Sequence, residues 1–203
     1  MKLAESFYKR ANVTRIAKEL LGKIIITKLH GKITSGMIVE VEAYSYKERG
    51  SHAYKGITKR NEVMFDDGGR AYVYLCYGVH EMFNVVTNVR GEADAILIRA
   101  LEPLSGMEVM MSRANAVSPS GITSGPGKLA KALGIDRKLS GEKLSGNKIW
   151  IEDRGVTIRR SEIESSARIG IDYAGDDALL PWRFMIKGNK WVSGKKVKVG
   201  SKS

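Results

Sequence analysis

Cysteine is nearly missing from this chain: Cys76 is the only one in 203 residues. A lone cysteine excludes an intrachain disulfide and every cysteine-rich zinc site. Flanked by Leu75 and Tyr77 in an apolar run, it reads as a small core residue. Histidine is scarce too, and His30, His52 and His80 stand at no ligand spacing, so no metal is expected. No apolar run approaches the roughly 18 residues that span a bilayer. Met1 to Gly22 lacks the apolar core of a signal peptide and is broken by Lys9, Arg10, Arg15, Lys18 and Glu19. The expectation is an intracellular protein that does not enter a membrane. Acidic residues are also short, 22 against 34 basic, for a formal charge of +12. That excess favours a polyanion, with nucleic acid first and an anionic membrane surface second; charge alone is explained as well by a merely soluble basic protein.

What is present is enough apolar material, 43% of residues, for one sizeable core or two small domains. Asn12 to Gly22 reads as an amphipathic helix capped by Asn12 and ended by Gly22. Lys23–Lys28 and Ile33–Tyr44 read as strands about a turn at His30-Gly31. Residues 45 to 69 form a long loop anchored by Met64-Phe65, a length that is usually functional or disordered. Ala71–Tyr77, Met82–Val89 and Ala95–Leu101 read as consecutive strands, the last ended by Pro103, and Met107–Arg113 as a helix. A third helix starts near Pro126 and ends at Gly134. Later strands are expected at Lys148–Ile151, Val156–Arg159 and Arg183–Lys187. The economical reading is one α+β domain over residues 1–194, its sheet largely antiparallel, followed by a flexible basic tail at 195–203.

With a period of two, Glu40, Glu42 and Tyr44 share a strand face, which would leave the carboxylates lining a cleft. Glu42 can act as a base toward water; Glu40 can take that role or only perturb Glu42, and a solvated strand face is the plain alternative. Arg99 lies inside the apolar run Ala95–Leu101, where a guanidinium must be paired, and Glu42 is an available partner. A structural ion pair would satisfy the same requirement. Tyr72 and Tyr74 share a face, with Tyr72 assigned to the core. Tyr77 stands beside Gly78 at a hairpin tip, where a large ring asks for a partner such as a base stack. Asn84 either meets a base edge or closes a local network. His52 either stacks on a base or is solvated in its loop, and Thr58 and Arg60 either donate to phosphates or sit in an ordinary turn. Gly121 to Lys128 is no nucleotide loop: the spacing is one residue too long, and Leu129 stands where Ser or Thr must hold magnesium. Lys128 at a glycine-rich helix start still suits a backbone phosphate.

Taken in order, Leu20-Leu21-Gly22, Ile38 to Tyr44, Ser51 to Gly56, Arg60 to Phe65, Tyr72-Val73-Tyr74, Tyr77-Gly78, Asn84-Val85-Val86, Arg99 to Pro103, Ser124-Gly125-Pro126, Ala167 to Ile171 and Trp191-Val192-Ser193 resemble the alkyladenine (3-methyladenine) DNA glycosylase family. The likeness departs at Lys59, where a proline is common, and at Gly50, where a small alanine is usual. It implies a single domain with a curved, mostly antiparallel sheet, flanking helices and a protruding β-hairpin for the DNA minor groove. Glu42 then corresponds to the general base, with Arg99 and the Ile169 carbonyl positioning its water. Tyr44, His52 and Tyr74 correspond to the walls of the base pocket, and Asn84 to its floor. Tyr77 corresponds to the residue that fills the gap left by a flipped nucleotide, and Thr58, Arg60, Lys128 and Gly170 to phosphate contacts. The implied activity is hydrolysis of the N-glycosidic bond of alkylated or deaminated purines in double-stranded DNA, by a monomer without cofactor, in the cytoplasm or nucleoid. No lysine is marked as a Schiff-base nucleophile, so an intact abasic site is the expected product. A non-catalytic nucleic-acid-binding module and an RNA-directed relative of the fold, such as a formyltransferase substrate domain, are the competing readings. The first has no use for Glu42 paired with Arg99, and the second explains the carboxylate poorly.

Overall fold

Four α-helices punctuate the described residues: α1 (Glu5–Tyr8), α2 (Val13–Leu20), α3 (Met107–Ala114) and α4 (Pro126–Leu133). They belong to a computed structural model that describes residues 1–194; the tail expected at 195–203 lies outside the described residues. The side chain of Asn12 accepts the Arg15 N–H at 2.9 Å, a cap worth about 1 kcal/mol. Val13, Ile16, Ala17 and Leu20 are the buried stripe of α2. Gly22 follows at φ +84°, and a side chain on it would press on Ile158 at 3.1 Å. Gly134 ends α4 in the left-handed region.

Among the described residues eight strands form one sheet, every pairing antiparallel: β1 (Ile24–Leu29), β2 (Lys32–Tyr44), β3 (Ala71–Cys76), β4 (His80–Thr87), β5 (Asp94–Ser105), β6 (Ile149–Glu152), β7 (Ile163–Ser166) and β8 (Arg183–Ile186). The order is β3-β4-β5-β2-β1-β6, and β8, carrying β7, pairs with β2. β2 organises the fold. Along one edge it pairs with β1 through Lys32–Met37 and then with β8 through Glu40–Glu42, and this change of partner accompanies the curvature of the sheet. Its other edge pairs with β5, where Ile38 faces Leu101, Glu40 faces Ala100 and Val41 faces Ile98. Val39 and Arg99 are therefore each passed over: two bulges, one per strand, on either side of a single residue pair. Val41 and Ala43 point into the main core with Ile16, Leu20, Ile98 and Phe184.

Three expectations are corrected. Pro103 does not end its strand: β5 runs on to Ser105, and Leu104 is passed over in a further irregularity against Ser35 and Gly36. Proline lacks the N–H that a regular ladder needs, and an irregular site absorbs that loss. Val156–Arg159 pairs with no strand; a short 3₁₀ turn at Arg160–Glu162 and then β7 follow it. The segment 45–69 is not bare loop, since a 3₁₀ helix at Glu62–Phe65 places Met64 in a second small core with Ala53, Tyr72 and Val86. Among the described residues no helix is long and apolar enough to cross a membrane, and no cluster of potential metal ligands occurs.

Candidate active site

The two carboxylates of β2 do share a face, but they line no open cleft: Glu40 and Glu42 are both fully buried. The bulge on β5 brings Arg99 between them. Its Nε donates to Glu40 Oε1 at 3.0 Å, and its Nη1 lies 3.2 Å from Glu42 Oε1. Burial opposes the Arg99 charge, but Glu42 and Glu40 outweigh it and hold the guanidinium above its ordinary range. Glu40 is occupied by structural donors, taking Arg183 Nε at 2.7 Å, the Ser193 hydroxyl at 2.9 Å and the Ser193 N–H besides Arg99. Glu42 is held differently. Its Oε1 accepts the Ile169 N–H at 2.8 Å and is ion-paired with Arg99, and its Oε2 accepts the Tyr44 hydroxyl at 2.8 Å. A carboxylate oxygen accepts two donors, so Oε2 can take one more. Burial first, and then the charge of Glu42, push the Tyr44 phenol well above its usual range, so it remains a donor.

Above this pair opens a cavity of about 520 Å³, lined by Arg99, Ile169 and an aromatic wall. Tyr44, His52, Tyr74, Asn84, Tyr77, Arg60 and Gly170 all border it. Seven residues singled out from widely separated stretches thus meet at one place, with Glu42 directly behind them. His52 lies edge-on to Tyr74 at a centroid distance of 4.5 Å, and its Nδ1 is 3.0 Å from the Tyr72 hydroxyl. Tyr72 is buried, as expected of a core ring, yet it also reaches the cavity. Asn84 donates from Nδ2 to the carbonyls of Tyr72 at 3.2 Å and Met82 at 3.4 Å, closing a local network while it borders the cavity. The Arg60 guanidinium stands 5.2 Å over the Tyr74 ring.

Burial, helped by Arg60, lowers the pKa of His52 to about 4, so the ring is neutral at physiological pH. The unfolded chain takes up a proton near 6.5 that the folded pocket refuses until about 4. The contribution of His52 to stability is therefore complete above about 6.5 and is lost as pH falls toward 4. An NMR titration of the His52 ring should show a midpoint near 4; a midpoint at 6 or above would mean that the imidazole is open to water.

Other expected contacts lie outside the cavity. Thr58 gives its N–H and hydroxyl to Asn61, the hydroxyl at 3.0 Å, and Lys128 is exposed in the first turn of α4. Tyr77, 88% exposed, tips the β3–β4 hairpin at φ +50° beside Gly78 at φ +72°. The Val79 N–H closes this turn on the Cys76 carbonyl at 3.1 Å. Cys76 is not core: it is partly exposed and borders the cavity. Sequence reading missed Tyr173, an exposed ring on the cavity rim whose hydroxyl donates to the Gly50 carbonyl at 3.2 Å. It also missed the Glu40 partners Arg183 and Ser193, although both fall in or beside stretches that looked like strand or motif.

A family model for methylpurine-DNA glycosylase matches residues 6–190 of the chain. A protein of Carboxydothermus hydrogenoformans is 46% identical over 195 residues, covering 96% of this chain and 100% of its own. A Methanoculleus marisnigri protein is 42% identical, covering 95% of this chain and 99% of its own, and one of Chlamydia felis 40%, covering 93% and 97%. All three bear the name "Putative 3-methyladenine DNA glycosylase". The match spans the strands that carry Glu42 and Arg99 and the segment that carries Ile169, and the chain belongs to the methylpurine-DNA glycosylase family.

Proposed function

We propose that this protein excises alkylated or deaminated purines from duplex DNA by hydrolysis, with Glu42 as general base. The observation that carries the proposal is the buried Glu42–Arg99 pair, 3.2 Å apart, set behind a cavity walled by aromatic rings. Reaching the glycosidic bond requires turning the nucleotide out of the helix, at a cost of a few kcal/mol. Stacking of a cationic purine on Tyr44 and Tyr74 returns about 0.5–2 kcal/mol, and the neutral His52 beside them adds no like charge. Asn84 bounds the floor on which the base rests. Arg99 and the Ile169 carbonyl would orient water, with Oε2 of Glu42 as its acceptor. In the reaction the C1′–N bond breaks and its electron pair leaves with the base. The water oxygen bonds to C1′, and its proton passes to Glu42. An alkylated purine, already positive, leaves as a neutral base and needs no general acid; a neutral deaminated purine leaves with the electron pair as an anion and takes its proton from solvent. Base activation of this kind is worth about 10²–10⁴-fold.

Glu40, with its structural donors, supports Arg99 and does not compete for the role of base. No lysine borders the cavity among the described residues, which supports hydrolysis over Schiff-base chemistry. Thr58, Arg60, Lys128 and Gly170 are assigned to phosphates around the lesion, Arg60 doubling as a backing for Tyr74. Duplexes carrying 3-methyladenine, 7-methylguanine or hypoxanthine should yield free base and an abasic site that breaks only on alkaline treatment. Failure to release any of these bases would remove the assignment. Strand breakage without alkali would remove the hydrolytic mechanism.

A further inference from the structure

Arg168 precedes Ile169 in the chain but does not border the cavity. Its side chain is wholly buried, and its fork grips the equally hidden Glu48, with Nη1 to Oε1 at 2.6 Å and Nη2 to Oε2 at 2.8 Å. The remaining bonds go to main-chain oxygens, Ala43 at 2.9 Å and Asp177 at 2.9 Å. The guanidinium carbon lies 4.7 Å from the Tyr44 ring centre and 5.4 Å from that of Trp182. Nε has no partner. A buried ion pair with an unpaired N–H is a poor device for stability, since a well-packed apolar pair often serves as well or better. What it does supply is placement. Ala43 sits between Glu42 and Tyr44, and Glu48 also accepts the Gly50 N–H at 2.7 Å in the loop that leads to His52. Two further bonds tie that loop to the segment after Ile169: Arg49 N–H to Asp177 at 2.9 Å and Tyr173 to Gly50 at 3.2 Å.

We infer that Arg168 is a positioning residue for base excision, acting through Tyr44, whose back face it supports, and through the Ile169 N–H that holds Glu42. This rests on the function proposed above. Losing the support lets the Tyr44 hydroxyl and the Ile169 amide drift from Glu42, and misplacement by about 1 Å costs on the order of 10²-fold in rate.

The test uses the paired exchange Glu48→Leu/Arg168→Met, because Arg168→Met alone strands a buried carboxylate. Single-turnover release of 7-methylguanine should fall about 30- to 100-fold. Duplex affinity should stay within about threefold and the melting temperature within a few degrees. Tyr44→Phe removes the hydroxyl that is one of the two routes through which Arg168 acts, so adding it to the pair should lower the rate by clearly less than the product of the two separate losses. If the pair does not fold, Glu48→Gln/Arg168→Gln, which keeps hydrogen-bonding groups, takes its place. A rate within threefold of the parent, losses that multiply, or unfolding of both pairs would overturn the inference. If the unaltered protein releases no base, the function itself fails and the inference falls with it. An active parent with an active paired variant removes the inference alone.

Discussion

Glu42→Gln is expected to lower single-turnover base release by about 10³-fold or more, while duplex binding changes by no more than a few fold. The shape of the side chain is kept, and its oxygen can still accept the Ile169 N–H that now lies 2.8 Å away. Arg99 retains Glu40 at 3.0 Å, so the guanidinium is not stranded, and the stability loss should stay near 1–3 kcal/mol. What disappears, under the proposed mechanism, is the anion that accepts a proton and faces a positively charged sugar in the transition state. Because Glu42 is fully buried, it contributes nothing to phosphate contact. Excision kinetics and a gel-shift assay on one lesion duplex separate the two quantities. A glutamine variant that retains a tenth of the parent rate would withdraw the base assignment.

The second large effect concerns the hairpin tip. Tyr77 and Gly78 both have positive φ, the sign that type I′ turns require and that Asn or Gly adopts most readily. A tyrosine held there costs about 1–3 kcal/mol in backbone strain. Its ring, 88% exposed, recovers little of that by packing. The combination points to a partner outside the chain, and a gap in a base stack is suitable because one base–aromatic stack is worth about 1–3 kcal/mol. Tyr77→Ala and Tyr77→Asn should therefore slow excision from duplex by about 10- to 100-fold and leave excision from single strands within about threefold. Tyr77→Asn should also melt no lower than the parent, since asparagine tolerates the left-handed region. A fluorescent base at the lesion reports extrusion directly. Equal losses on paired and unpaired substrates would make Tyr77 a pocket or folding residue instead.

Much of this was legible in the sequence because its signals are local. Asn12 and Gly134 announce helix ends within one turn of themselves, and the period of two in β2 puts Glu40 and Glu42 on one face without reference to any other strand. Arg99 announced its need for a carboxylate by standing in an apolar run, and Glu42 answered it. The rest is long-range. That Glu40 would take Arg183 and Ser193, or that Arg168 would reach Glu48, depends on β8 and the segment around Ile169 returning to β2, which no spacing encodes. Val156–Arg159 has the β-branched character of a strand and lacks only an edge to pair with. Ile163–Ser166, weaker by composition, has that edge in β8. Tyr173 escaped notice because a tyrosine in a polar stretch is unremarkable until Gly50 is brought beside it.

The two passed-over residues, Val39 in β2 and Arg99 in β5, act as a frameshift and its suppressor. Before them Ile38 faces Leu101 and after them Val41 faces Ile98, so each strand spends two residues between the same two rungs and the frame is restored. Removing either residue alone would displace every cross-strand pair on one side by one position, setting polar groups against the core. Removing both would leave the rungs aligned and the sheet intact, but without the arginine. The fold could therefore lose this insertion pair and keep its register; the chemistry proposed for it could not.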